Sequence, residues 1–425
     1  MGDVARQFAV SVLRRVWEQG AFSNIEISTA LKKYDLKGID KSFGVALVNG
    51  GAERVLTLDC MIEKASGRKI GDIEAELLAV LRLGFLQLFY MKVPDMAACS
   101  ESVALVSGKK RKGFVNAVMR SACRNRAELL TAVEQGGDSV KYSLSPQICE
   151  LITSQYPEEK DKIMGAFFNP NPLILRTNTL KITPKALLDK LVSDGAEASC
   201  NGNAVIVTAG ADKGLAAVGE GLCFVQGLSS QRAVAALEAK AGDSLIDVCA
   251  CPGGKTLGAA LDMENTGSVL SMDIHANKLS LIEKTASTLG VTIVSTKKQD
   301  GREENAELLG RADRIICDVP CSGIGAIKGR PEIRYKDLEG LDRLIETQKA
   351  ILKNAFSYLK QGGRLVYSTC TINKDENEGV VHPFVIGSGA VLVEERTVLP
   401  YEENHDGFYI AVLEKSNDRH KKYVA

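Results

Sequence analysis

Neither sign of charge dominates this 425-residue chain: 53 Lys and Arg stand against 53 Asp and Glu. The balance excludes a uniformly basic protein and leaves room for a local basic face. Extended apolar runs are missing as well. The most apolar stretch, VLRLGFLQLFYM from Val80, carries Arg82 and Gln87 and falls short of the ~20 residues a bilayer requires, so no membrane span is expected. The N-terminal MGDVARQFAVSVLRRVWEQG has neither the apolar centre nor the cleavage site of a signal peptide; a cytoplasmic protein is expected. Eleven cysteines occur without metal-ligand spacing and read as reduced thiols, mostly core, rather than as a disulfide framework. Internal repeats and low-complexity segments are absent too.

At roughly 150 residues per domain, the length asks for two or three domains. Apolar residues at 45% and charged residues at 25% are ordinary for a globular chain. From Ala5, apolar positions recur at helical spacing through Ala9, Val12 and Val16, with Arg6, Arg14 and Arg15 largely between them. Helical patterns follow around Asp40 to Val48, Leu56 to Glu63, Ile73 to Tyr90 and Gly113 to Arg124, with no alternating strand among them. Residues 1–133 therefore read as an all-helical domain. Gly108 to Arg126 holds seven Lys or Arg and no acid. This run is either a solvated face or a seat for nucleic-acid phosphates, with Lys109, Lys110, Arg111 and Lys112 as its densest part.

EQGGDS from Glu134 reads as a linker. Residues 141–236 are α+β: LILRTN and AVIVTA look like strands, and TPKALLDKLVSDG like a helix with Thr183 as N-cap, Pro184 in the first turn and Gly195 as stop. Over 237–425 short apolar runs (SLIDVC, SVLSMD, TIVST, DRIICD, GRLVYS) alternate with helical segments. That is the rhythm of an α/β domain whose parallel sheet carries helices on both faces.

In such a sheet, ligands bind beyond the carboxyl ends of the strands. The first end is DVCACPGGKT, where Gly253 and Gly254 let the backbone turn sharply and approach a ligand, while the next helix offers unpaired N–H groups. Three readings stay open. Were Cys249 a glycine, the stretch would match the phosphate loop G-x-x-x-x-G-K-[ST], with RIICD as the acid-bearing strand. S-adenosylmethionine instead needs a carboxylate for its ribose diol at the end of the second strand. Asp273 stands there, nineteen residues after Gly254, near the ~20 expected. A plain structural turn is the third reading. The phosphate reading leaves Asp273 and the downstream thiols without a task.

Those thiols are Cys321 in CDVPCSG and Cys370 in GGRLVYSTCT. If the two strands are neighbours, their ends lie ~5 Å apart and the thiols face one cleft. A single free cysteine is usually inert core. Two of them, each just past a strand end and beside Ser or Thr, point to methylation at carbon 5 of a pyrimidine, a carbon too electron-poor to attack a sulfonium methyl unaided. A thiolate adding to carbon 6 collects electrons at carbon 5, and a base must afterwards remove the carbon 5 proton so that the enzyme sulfur is eliminated. Asp318 is placed to hydrogen-bond the exocyclic amine and ring nitrogen. Spacing alone does not say which thiol attacks.

At these residues the chain resembles the Sun/Fmu-type (RsmB-like) 16S ribosomal RNA cytosine-5 methyltransferases. DVCACPGGKT, DVPCSGIGAIKGRPEIR and YSTCTINKDENE resemble the family's signature segments, and HDGFYIAVLEK its closing strand. GAFSN, LRLGFLQLFYMKVP and GFVNAVMR are similar to the NusB-type RNA-binding fold. The resemblance implies a Rossmann-like class I methyltransferase domain over 237–425 with a mostly parallel seven-stranded sheet. It further implies a NusB-like all-α domain over 1–133 and a small RNA-contacting α+β subdomain over 141–236. Implied too are S-adenosyl-L-methionine as cofactor, no metal, Cys370 as nucleophile and Cys321 as the thiol that assists product release. Cys249, Ala250, Cys251, Pro252, Gly253, Gly254 and Lys255 would line the cofactor, with Asp273 at its ribose, Asp300 at its adenine and Asp318 between cofactor and base. The chain departs from the family in Cys251 for alanine, Gly227 for aspartate, and Lys278 and KGRP for frequent arginines; none of these removes a residue the chemistry needs.

The expected function is therefore methylation of one cytosine in small-subunit ribosomal RNA before full assembly, with the base flipped into the pocket. The same reaction on transfer RNA, a non-catalytic RNA-binding assembly factor and an ATPase are the competing readings.

Overall fold

The computed structural model describes residues 3–19, 23–402 and 406–416; residues 20–22 of GAFSN and His405 lie outside the described residues. The chain divides into two compact units, Met1–Phe168 with Ile327–Leu338, and Asn169–Ala326 with Glu339–Ala425.

The first unit is helical: α1 (Val4–Gln19), α2 (Ser23–Tyr34), α3 (Gly38–Glu53), α4 (Val55–Ser66), α5 (Ala75–Tyr90), α6 (Asp95–Ala104), α7 (Lys109–Arg124), α8 (Arg126–Gln135), α9 (Gly137–Tyr142), α10 (Pro146–Gln155) and α11 (Lys160–Ala166). In α1 the buried stripe is Ala5, Phe8, Ala9, Val12, Leu13 and Val16, as helical periodicity requires. Helix α5 is buried on all sides from Leu77 to Leu88, which explains an almost wholly apolar sequence in a core helix. Its polar members are paired inside: Arg82 grips the Asp59 carboxylate at 2.7 Å through both prongs, and Gln87 accepts from Arg6 Nε at 2.7 Å. Among the described residues no helix is long and apolar enough to cross a membrane.

EQGGDS is not an open linker. Helix α8 reaches Gln135 and α9 begins at Gly137, and the helices run on to Ala166, beyond residue 133. Gly137, at φ +77°, breaks one helix and starts the next without releasing the chain, because Val133 and Tyr142 on either side are buried.

Ile327–Leu338, which belongs in sequence to the α/β region, folds with the helices. Fully buried Arg334 donates to the carbonyls of Tyr142 (3.0 Å) and Phe167 (2.6 Å), and Ser145 N–H donates to Arg334 O at 2.7 Å. Tyr335 Oη donates to Ala52 O at 2.8 Å and accepts from Val55 N–H at 3.0 Å.

The second unit opens with an antiparallel sheet in the order β2-β3-β1-β4: β1 (Leu173–Thr177), β2 (Glu197–Asn201), β3 (Ala204–Ala209) and β4 (Cys223–Val225), with α12 (Pro184–Ser193) and α13 (Ala211–Gly219). Thr183 caps α12 by accepting from Ala186 N–H. The main sheet holds β5 (Ser244–Asp247), β6 (Ser268–Asp273), β7 (Val294–Lys298), β8 (Ala312–Asp318), β9 (Leu359–Thr369), β10 (Ala390–Val398) and β11 (Phe408–Lys415). Their order is β10-β11-β9-β8-β5-β6-β7. Strands β9, β8, β5, β6 and β7 run parallel, while β11 is antiparallel to both neighbours.

Helices α14 (Leu228–Ala235), α15 (Gly254–Asp262), α16 (Ala276–Leu289), α17 (Leu341–Tyr358) and α18 (Glu378–Gly387) cover the sheet. Alternation along β8 sends Ile315 and Cys317 to the hydrophobic layer that contains Leu352, and Ile316 to the layer that contains Leu257 and Leu289. Both faces are thus dry. Strand order reverses between β5 and β8, which opens a crevice at their carboxyl ends.

Candidate active site

Asp318, the last residue of β8, pairs in register with Ser368 on β9. Just beyond these ends Cys321 Sγ and Cys370 Sγ come within 3.4 Å of each other, and both cysteines are half-buried. The sulfur of Cys370, and then burial, push the Cys321 thiol well above its ordinary range. Asp318 is gripped on both oxygens: Lys255 Nζ donates to Oδ2 and Ser368 Oγ to Oδ1, each at 2.7 Å. Lys255 also lies over the Phe408 ring, 5.2 Å from its centroid.

The glycine loop joins β5 to α15. Gly253 has φ +105°, and a Cβ there would sit 2.9 Å from Ile282 Cγ1, so both backbone and space demand glycine. Asp273, at the end of β6, accepts from Cys251 N–H (3.1 Å) and His275 N–H (2.8 Å). Thr256 turns its hydroxyl inward to Asp247 Oδ2 at 2.7 Å. The lysine and threonine that a phosphate loop would aim at its ligand are thus both directed to carboxylates, which disfavours the ATP reading.

Residues 234–414 match the family described as 16S rRNA methyltransferase RsmB/F. Residues 3–124 match the NusB family, and 148–211 the ferredoxin-like domain of RsmF/B-like methyltransferases. The Bacillus subtilis (strain 168) protein named probable ribosomal RNA small subunit methyltransferase B is 32% identical, over 89% of this chain and 88% of its own length. The chain belongs to the RsmB/F family of 16S rRNA methyltransferases. Among solved structures, the crystal structure of PH0851 shares its fold, with TM-score 0.80 at 21% identity over 98% of this chain and 99% of that one. NSun6 from Pyrococcus horikoshii with SFG aligns at TM-score 0.57 and 25% identity, covering 64% of this chain and 98% of its own.

As an RsmB/F methyltransferase the protein draws its methyl group from S-adenosyl-L-methionine, and the crevice fits that cofactor. Carboxylates at or just past the ends of β6, β7 and β8 (Asp273, Asp300, Asp318) surround a glycine loop, an acceptor set suited to a ribose diol and a cationic sulfonium. Cys249, Ala250, Cys251, Pro252, Gly253 and Gly254 form the loop, and Lys255 begins its helix. Burial, with Asp247 beside it, holds the Cys249 thiol far above its usual range, and burial and Asp273 raise Cys251 to about 12. Both thus remain neutral thiols at pH 7. Asp300 is not open: Arg302 takes its carboxylate through Nε at 3.0 Å and Nη2 at 2.6 Å, holding it below the usual carboxylate range. An adenine contact there must share that carboxylate with the guanidinium.

Asp247 carries a testable electrostatic signature. It is almost fully buried, with one carboxylate oxygen lacking a partner, and burial raises it from the usual carboxylate range to about 7. Between pH ~4 and ~7 the folded protein holds a proton that the unfolded chain has lost, so this group's contribution to stability falls as pH rises through that window. Asp247→Asn removes the titration. From pH ~5 to ~8 the stability of wild type relative to this variant should drop by about 2–3 kcal/mol, read from urea unfolding of both proteins at each pH. A pH-independent difference would contradict the assignment.

The sequence reading overlooked Gln226, just past β4, whose Nε2 donates to Gly254 O at 2.8 Å and so braces the cofactor loop. It also passed over Glu376, which looks in NKDENE like part of a charged surface loop but is fully buried. In the helical unit, Lys109, Lys110, Arg111 and Lys112 form the first turn of α7. Lys109, Lys110 and Lys112 are exposed. Arg111 is ion-paired to Glu74 and Glu76 and is a structural cation rather than a free one.

Proposed function

We propose that this RsmB/F enzyme methylates carbon 5 of one cytosine in 16S ribosomal RNA through a covalent bond to Cys370. The observation that carries this reading is the pair of sulfurs 3.4 Å apart beside a doubly anchored aspartate. Few reactions call for two thiols and an acid at one ring. The choice of Cys370 over Cys321 as nucleophile follows the pattern of the RsmB/F family, to which the chain belongs.

In this scheme the Cys370 thiolate bonds to carbon 6 and the ring's double-bond electrons move to carbon 5. Asp318, held by Lys255 and Ser368, accepts hydrogen bonds from the exocyclic amine and from the ring nitrogen once that is protonated. S-adenosyl-L-methionine, when bound, supplies an electrophilic methyl carbon, which carbon 5 takes up. Transfer of the carbon 5 proton to a solvent base returns that C–H pair to the ring as the C5–C6 double bond, the ring nitrogen gives back its proton, and the carbon–sulfur pair returns to Cys370. Cys321, within reach of the same ring, assists this release. Asp273 would hold the ribose, with Asp300 and Arg302 at the adenine edge. The target base must leave its stack to enter, so an RNA not yet covered by ribosomal proteins is the substrate that suits this crevice. Cytoplasmic action follows from that substrate.

Mapping 5-methylcytosine in RNA from cells with and without the protein tests the reading. One 16S position should lose its mark in the deletion strain; loss of a transfer RNA mark instead would favour the alternative substrate, and an unchanged map would refute both.

Lys109, Lys110 and Lys112 are proposed to contact RNA phosphates. The first turn of α7 has no acid, and cations at a helix N-terminus oppose the helix dipole, so the arrangement sacrifices some stability. Changing these three lysines to Gln, with Arg111 kept, should weaken RNA binding and reduce the salt slope of log affinity by up to ~3, with cofactor affinity unchanged. An unaltered slope would make the run a solvated face.

A further inference from the structure

We propose that Glu376 is the positioning residue that sets the two thiols against one target base, an inference that rests on the two-thiol reading above. Cys321 and Cys370 lie on separate loops, and sheet register ends three residues before the first and two before the second, at the Asp318–Ser368 pair. Beyond that point two backbone bonds remain, Val319 N–H to Ser368 O and Gly325 N–H to Cys370 O, each at 3.1 Å, and the side chains flanking the thiols are gathered by one carboxylate. Glu376 Oε1 accepts from Ser322 N–H at 2.8 Å and from Gln348 Nε2 at 3.0 Å. Its Oε2 accepts from Ser322 Oγ at 2.5 Å and from Asn373 Nδ2 at 3.1 Å.

These bonds reach both sides of Cys321. Ser322 follows it directly, and Gln348 also donates to the carbonyl of Pro320, the residue before it, at 2.9 Å. The other loop is joined through Thr371, next to Cys370, whose hydroxyl lies 2.8 Å from Ser322 Oγ. The Glu376 backbone is itself pinned, its carbonyl accepting from Tyr367 Oη at 2.7 Å.

Four donors converge directly on two oxygens, the complement of a carboxylate and of no other side chain of that shape. An amide in its place keeps the volume but sets N–H against N–H on one side. Glu376 has no exposure to the cleft and touches no reacting atom. Its effect passes through the loops, where a displacement of ~1 Å at the thiols costs about a hundredfold in rate.

The test uses the full-length enzyme with 16S RNA and labelled cofactor. Glu376→Gln should lower kcat by ~100-fold while KM for RNA and cofactor affinity stay near wild type. Diamide, which accepts the two thiol hydrogens as the S–S bond forms, should link Cys321 to Cys370 rapidly in wild type and much more slowly in the variant. Adding Asn373→Asp to Glu376→Gln gives the new amide an acceptor and should restore much of both readouts. Ser322→Ala is the milder probe should Glu376→Gln fail to fold; it severs the Oγ link to Glu376 and Thr371 and should reduce kcat and cross-linking without touching cofactor binding.

Wild-type kcat or wild-type cross-linking in the folded Glu376→Gln protein, or in Ser322→Ala where that one is used, overturns the proposal. So does a folded double variant that recovers neither. If instead methyl transfer in the otherwise wild-type enzyme proves independent of Cys370, the two-thiol reading is what fails, and the cross-linking rates still report whether Glu376 sets the sulfur positions.

Discussion

Cys370→Ala is expected to abolish methyl transfer, by ~10⁴-fold or more as for loss of a covalent nucleophile, and to leave no protein–RNA band on a denaturing gel. Cys321→Ala is expected to do the opposite with the adduct: turnover falls, yet the covalent complex accumulates, because addition and methylation proceed while release stalls. The two sulfurs lie 3.4 Å from each other, so distance alone does not separate their roles, and the two variants do. Cys321 is pushed up by its neighbour's sulfur and by burial. Trapping in Cys370→Ala and none in Cys321→Ala would exchange the two roles.

Arg334→Ala should cost about 3–5 kcal/mol of stability in urea unfolding of the full chain and increase protease cleavage within 327–338. The guanidinium is wholly buried and serves the carbonyls of Tyr142 and Phe167. Deleting it orphans two buried acceptors at ~1–3 kcal/mol each and leaves a cavity. Burial lowers its pKa only to about 10, so it is charged at neutral pH. Lysine, with one nitrogen in place of a fork, should not rescue it. The segment it anchors begins six residues after Cys321, so methyl transfer should fall together with stability. A loss below ~1 kcal/mol would mean the segment is held by its Tyr335 and Ser145 contacts instead.

Much of this was legible in the chain because the informative signals were local. The five apolar runs of the α/β region are β5 to β9; β5, β8 and β9 are central strands whose covered faces demand apolar residues, while edge strand β7 ends in exposed or half-buried polar residues. Thr183, Pro184 and Gly195 mark the ends of α12 as read. Helix α5 shows where pattern misleads in the benign direction: its Arg82 and Gln87 look like breaks in an apolar run, yet each finds a partner on another helix. EQGGDS misled more seriously, because two glycines and two charges specify a linker only if nothing beside them is buried. The basic run illustrates the same limit, since nothing near Arg111 in sequence shows that Glu74 and Glu76 neutralise it.

The alternation of strands β5 to β9 with helices, the glycine loop and the placement of Asp273, Asp318, Cys321 and Cys370 just at or past strand ends were determined by the sequence alone, because periodicity and turn chemistry act between residues close along the chain. Only the tertiary structure decided that β8 and β9 are neighbours, that Lys255 spends its charge on Asp318, that Glu376 is interior, and that Ile327–Leu338 folds with the helices. Each of these depends on which distant groups meet in space, and burial decides the rest: the same carboxylate is a surface charge in water and an organising centre when four donors close around it.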